Sequence, residues 1–177
     1  MRKNNKRSEI LEAAFKVVEQ QGANHLTIDA VAKEAGFSKG GVLYHFASKK
    51  ALLTGMLDHL IEISRSRMDA HQLQGNDNPL AALLHARDEM TAAEQRASLA
   101  LLVAFAEDTD LLDPARDQFK ATFMRVTDGS DNEMEATLLF LANEGLRYLD
   151  LFNLNPLQGK ERSKVNRYLS KKAGEIS

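Results

Sequence analysis

Within the stretch "SKGGVLYHFASKK", beginning at residue 38, the side chains able to act on another molecule are cations and hydrogen-bond donors. Lys39 can reach a guanine O6/N7 edge or a phosphate. Tyr44 and His45 can donate to phosphate oxygens, and Lys49 and Lys50 can neutralise a further phosphate. Gly40 and Gly41 follow Lys39 directly. Glycine disfavours a helix interior by about 1 kcal/mol relative to alanine, so a tolerated pair calls for a reason. One reason is close approach: without a side chain, backbone N–H groups can come near a phosphate or a base edge, and a helix N-terminus carries partial positive charge. The alternative is a plain loop, with Tyr-His-Phe as ordinary core packing. The chemistry in view is polyanion binding rather than bond making.

The elements that must position these residues are helical. Ile10, Leu11, Ala14, Phe15 and Val18 share one side of a helix that ends at Gly22, with Ser8 as its expected N-cap. In "LTIDAVAKEAG", Thr27 caps a second helix, Asp29 sits in its first turn, and Gly36 ends it. Ser38 caps a third short helix, on whose buried side Val42 and Phe46 are expected. Ser48 caps a fourth, running to about His71. Two helices of about two turns separated by a glycine-containing turn form a helix-turn-helix, whose second helix enters the major groove. Charge follows the same division. Residues 1–50 hold nine Lys/Arg against five Asp/Glu, and residues 51–177 hold fourteen against twenty.

Residues 8–53 resemble the N-terminal DNA-binding domain of TetR-family transcriptional regulators. The resemblance is carried by "ILEAAFKVVEQQG" and "LTIDAVAKEAGFSKGGVLYHFASKKALL". It implies an all-α protein of about nine helices: a three-helix head, a linking fourth helix and a helical body whose last two helices form a dimer interface. The corresponding domains are 1–50 (to about 66 with the linking helix) and a regulatory and dimerisation domain, 51–177. The resemblance implies phosphate contacts at Thr27, Tyr44, His45 and Lys49, base-proximal roles for Lys39, Gly40 and Gly41, and Ser38 and Lys50 on the same surface. Three positions depart from the family pattern. Gly41 stands where Ser or Thr is frequent, Leu43 where Tyr is frequent, and Lys50 where an acid is frequent. The operator sequence therefore does not follow from the resemblance.

Behind the head, helices are expected near 79–90, 92–107, 114–127, 131–153 and 160–173. Their starts are marked by Asn78-Pro79, Asp113-Pro114 and capping boxes at Thr91–Glu94 and Ser130–Glu133. The stretch "QLQGNDNP" reads as a loop. On the 131–153 helix, Met134, Leu138, Leu141, Gly145 and Leu149 share a side, and Val165, Tyr168 and Leu169 form a stripe on the last helix. A helix apolar on more than one side is buried on more than one side. These eight residues are the expected dimer interface, with a central helix of a monomer as the alternative. Candidate cavity residues are Leu60, Ile63, Leu84, Arg87, Met90, Phe105, Phe123, Leu138 and Asn143, each of which is otherwise ordinary core. Arg87 pairs with an anionic ligand or with Glu144, or lies exposed.

Cysteine is absent, which excludes disulfides, thiolate metal sites and a cysteine nucleophile. The five histidines are 20, 14, 12 and 14 residues apart, without metal-ligand spacing. No H-E-x-x-H, G-x-S-x-G or Walker pattern occurs, so neither an enzyme nor a cofactor or metal is expected. The basic N-terminus lacks the apolar run of a secretory signal and no long apolar stretch occurs, giving a cytoplasmic protein as the expectation. The expected partners are double-stranded DNA with a palindromic operator, a second copy of the chain and a small-molecule effector. Regulation by a protein partner or by abundance, and a small helical enzyme or carrier with a helix-turn-helix-like start, are the alternatives.

Overall fold

A computed structural model describes residues 2–73, 75, 78–128 and 130–176, and the described residues form helices joined by turns. In chain order these are α1 (Arg2–Gln21), α2 (Ile28–Ala35), α3 (Lys39–His45), α4 (Lys49–Leu73), α5 (Pro79–Asp88), α6 (Ala92–Glu107), α7 (Leu112–Thr127), α8 (Glu133–Leu151) and α9 (Gly159–Glu175). Single 3₁₀ turns lie at Ala23–His25 and Thr109–Leu111. The all-α class expected from the sequence is what is found. Two compact units divide the chain: Met1–Glu62 with Thr91–Ala115, and Ile63–Met90 with Arg116–Ser177.

Several starts differ from expectation. Ser8 lies inside α1, which begins at Arg2; nothing in "RKNNKR" breaks a helix, so no cap is needed at Ser8. The Ser130–Glu133 box does not form. Asn132 caps α8 instead, its side chain accepting from the Glu135 N–H at 3.2 Å. Asp113 lies in the first turn of α7, which starts one residue earlier. The loop expected at 72–79 begins later, because α4 runs to Leu73, and part of it lies outside the described residues.

The first unit exists to hold two short helices. An isolated helix of seven or eight residues is unstable in water, so α2 and α3 depend on caps and burial. Thr27 Oγ1 accepts from the Ala30 N–H at 3.1 Å, and Ser38 Oγ accepts from the Gly41 N–H at 3.0 Å. Gly36, at φ 69°, turns the chain out of α2 in the left-handed region that favours glycine, and the Phe37 N–H closes back on the Ala32 carbonyl at 2.9 Å. Val31, Val42, Phe46, Leu52 and Met56 join Ile10, Leu11, Ala14 and Val17 of α1 in one buried cluster. α6 completes it with Ala97, Ala100, Leu101 and Phe105. Arg96 of α6 pairs with Glu19 of α1 at 2.6 Å.

The second unit packs Leu80, Leu83 and Leu84 of α5 against Ala136, Leu139 and Phe140 of α8 and Leu169 and Ala173 of α9. Asn78 ties its ends. The side-chain oxygen accepts from the Leu80 and Ala81 N–H groups at 2.8 and 3.1 Å. Its amide donates to the Ala173 carbonyl at 2.7 Å and to the Ile176 carbonyl. Among the described residues, no helix is long and apolar enough to cross a membrane.

Gly55 sets how closely α4 approaches the end of α3. A Cβ there would lie 2.5 Å from the Phe46 ring, and the Arg7 guanidinium stacks over the same ring at 5.0 Å. Phe46 is nearly fully buried, so the ring has little open space to move into. Gly55→Ala is expected to destabilise the fold by about 1–3 kcal/mol through overpacking, read as a lower midpoint in urea unfolding. An unchanged midpoint would show that the contact is loose.

Candidate nucleic-acid interface

α3 is buried along one side and open along the other. Val42 is fully buried and Phe46 nearly so, whereas Tyr44 is 71% exposed. Ser38, Lys39, Gly40 and Lys49 are also exposed, and His45 is half-buried with its ring edge-on to Tyr44 at 5.2 Å. Folding thus brings Thr27, Ser38, Lys39, Gly40, Gly41, Tyr44, His45, Lys49 and Lys50 into the same unit as the caps and the α3 helix. The hydroxyl oxygens of Thr27 and Ser38 are acceptors in the caps of α2 and α3, so each retains its O–H for an outside acceptor.

The glycines differ in what surrounds them. A Cβ on Gly40 would meet nothing within 4 Å. A Cβ on Gly41 would press on Ser38 Oγ at 3.3 Å, the atom that caps the helix. Gly41 therefore serves the cap, while nothing in the protein itself requires glycine at position 40.

Two lysines of this surface are held by carboxylates that sequence reading did not connect to them. Lys39 Nζ lies 2.9 Å from Asp29 Oδ2, with both side chains well exposed. Lys50 Nζ lies 2.7 Å from Asp108 Oδ2, the C-cap residue of α6. Exposed pairs of this kind stabilise a fold little, so their weight falls on how freely each ammonium meets another anion. The signal for Asp29 was its place in the first turn of α2, one short turn away from α3. Asp108 gave none, because its approach depends on α6 packing into this unit.

The remaining candidates lie elsewhere. Leu60 and Phe105 belong to the core of the first unit. Leu84 and Phe123 belong to that of the second, with Ile63, Arg87, Met90, Leu138 and Asn143 in the same unit. On α8, Met134, Leu138, Leu141, Gly145 and Leu149 form an exposed stripe, and Tyr168 of α9 is exposed too. Val165 and Leu169 instead turn into the unit's own core.

A helix-turn-helix unit joined to a helical body defines a class of DNA-binding protein folds. Residues 10–56 match the family described as bacterial regulatory proteins, tetR family, and residues 77–173 match that described as Tetracyclin repressor-like, C-terminal domain. The chain belongs to the TetR family. It is 26% identical over 147 residues to the HTH-type transcriptional regulator YerO of Bacillus subtilis (strain 168), a match covering 82% of this chain and 50% of that protein. The chain thus spans about half the length of that relative. A TetR transcription regulator from Haloarcula marismortui ATCC 43049 has the same fold, with a TM-score of 0.75 at 20% identity and 98% of each chain covered. The multidrug binding protein EbrR, complexed with imidazole, gives a TM-score of 0.66 at 23% identity, covering 95% of this chain and 89% of EbrR.

Because Asp29 holds Lys39, Asp29→Asn is expected to free one cation. Affinity for double-stranded DNA at low salt should rise, with weaker discrimination between sequences. Unchanged affinity and discrimination in anisotropy titrations would show that Asp29 leaves Lys39 on binding at no cost.

Proposed function

We propose that this protein is a DNA-binding transcriptional regulator that acts as a homodimer, each head setting residues 38–46 in a major groove, and that it is a repressor released by a small-molecule effector bound in the body. The observation that carries the reading is α3. Its Val42 and Phe46 side is buried, and its other side offers Lys39, Gly40 and Tyr44 to solvent, with Lys49 at the start of the next helix. The empty space at Gly40 supports close approach of an external surface to the backbone. Family membership supports the operator and effector. EbrR, which shares the fold, is a multidrug binding protein.

The roles divide by reach. Lys39 reads a base edge. Tyr44, His45, Thr27 and Lys49 hold phosphates and fix the register without reading sequence. Lys50, shared with Asp108, adds to the phosphate contacts once that pair opens. Two heads related by a two-fold axis require half-sites about one helical turn, ~34 Å, or a multiple of it apart. The exposed stripe of Met134, Leu138, Leu141, Gly145 and Leu149 supplies the surface that brings the second copy. The effector acts by favouring a conformation that does not fit the operator, which requires that it bind that conformation better.

Two experiments test this. In a selection from random double-stranded DNA, the protein should enrich a palindromic site. Tyr44→Ala and Lys49→Ala should weaken binding to all sites alike. Lys39→Ala should change preference at one base pair by about 1–3 kcal/mol. Equal losses for all three variants on every site would remove the division of roles, and no enrichment would remove the reading. In sedimentation, Leu138→Glu should convert a dimer into a folded monomer; a dimer that survives would place the interface elsewhere.

A further inference from the structure

The middle of α8 turns a polar cluster into the second unit. Glu144 is 3% exposed. Its Oε1 accepts from Arg87 Nη2 of α5 at 3.2 Å, and its Oε2 accepts from Arg147 Nε at 2.9 Å. The side chains of Arg87 and Arg147 are only 22% and 20% exposed. Two guanidinium groups thus share one carboxylate, leaving one positive charge in excess. Asn143 lies one turn before Arg147 on the same side of α8. Its Nδ2 and the Nε of Arg87 are buried without an acceptor. Phe140, one turn before Glu144, is buried with its ring edge-on to Phe119 and Phe123 at 5.2 and 5.4 Å.

A cluster that served packing alone would balance its charges, since a buried charge in excess and a buried donor without a partner both oppose folding. Here donors outnumber acceptors and the surplus is a single positive charge. We propose that Arg87, Arg147 and Asn143 form the recognition point for the carboxylate of a small monoanionic organic ligand, with Glu144 as the positioning residue that orients the two guanidinium groups. The planar fork of arginine suits a carboxylate, and one excess charge suits a monoanion. Burial draws the Arg87 guanidinium below its ordinary pKa, against the opposing pull of Glu144. This proposal rests on the reading of the body as the regulatory part, whose effector it assigns to a chemical class.

The test is thermal unfolding of the full chain at fixed ionic strength with sodium benzoate or octanoate, and with benzamide or octanamide as uncharged matches. The carboxylates are expected to raise Tm, with the shift growing as the logarithm of concentration once the site is filled, and the amides to leave it unchanged. Arg87→Gln leaves Glu144 paired one-to-one with Arg147, so it should fold and lose most of the carboxylate shift. Arg87→Lys should keep part of it. Asn143→Ala, which touches no ion pair, should weaken the response and so tests the site even where the arginine variants fold poorly. The proposal is overturned if neither carboxylate shifts Tm, if amides and carboxylates act alike, or if Asn143→Ala and the folded arginine variants respond as the parent does. The readout does not involve DNA. A carboxylate response in a protein that ignores DNA would sink the regulatory reading and keep the site, and the reverse result would do the opposite.

Discussion

The burial of Val42 and Phe46 is the contact on which the rest depends. α3 is seven residues long, too short to persist by its own hydrogen bonds. It exists because these two side chains enter the cluster formed by α1, α2, α4 and α6, and because Ser38 caps its first turn. Once that side is fixed inward, the helix has no freedom in what it shows outward. Lys39, Gly40 and Tyr44 are exposed as a consequence of where Val42 and Phe46 go.

The neighbouring constraints serve the same contact. The left-handed turn at Gly36 sets the angle between α2 and α3. Gly55 admits the Phe46 ring against α4, and Arg7 covers the ring's face. The electrostatics of the exposed side are tempered. Asp29 holds Lys39 and Asp108 holds Lys50, so two cations of the surface meet an external anion only in exchange for an internal one. Such an arrangement weakens indiscriminate attraction to polyanions more than attraction to a surface that offers the right partner for each ammonium.

What could be read from the sequence was what is local along the chain. The caps at Thr27, Ser38, Asn78 and Thr91 each form within three residues of their donors, and all four are found. Where two capping residues compete, spacing does not choose between them: Asn132 caps α8 although Ser130 also offered a box. Ser8 shows the converse, a good cap left unused because the residues before it also form helix. Contacts between elements were not legible. Periodicity says that α6 has an apolar side, but not that this side meets α1, and so not that Asp108 reaches Lys50. The same holds for α9, where Val165 and Leu169 turn into the unit's core while Tyr168 stays exposed. For Arg87 the sequence leaves an anionic ligand, Glu144 or solvent as its surroundings. That two arginines share Glu144 became visible only once α5 and α8 were packed together.

Gly40 separates folding from binding, because the protein has room for a side chain there and the proposed contact does not. The measurement is a paired one on Gly40→Leu: urea unfolding, and affinity for double-stranded DNA at low salt. Stability equal to or above that of the parent is expected, since leucine favours helix over glycine, together with a loss of affinity of roughly tenfold or more, about 1.4 kcal/mol. Undiminished affinity in a stably folded variant would contradict it, by showing that no surface comes close to the tip of α3.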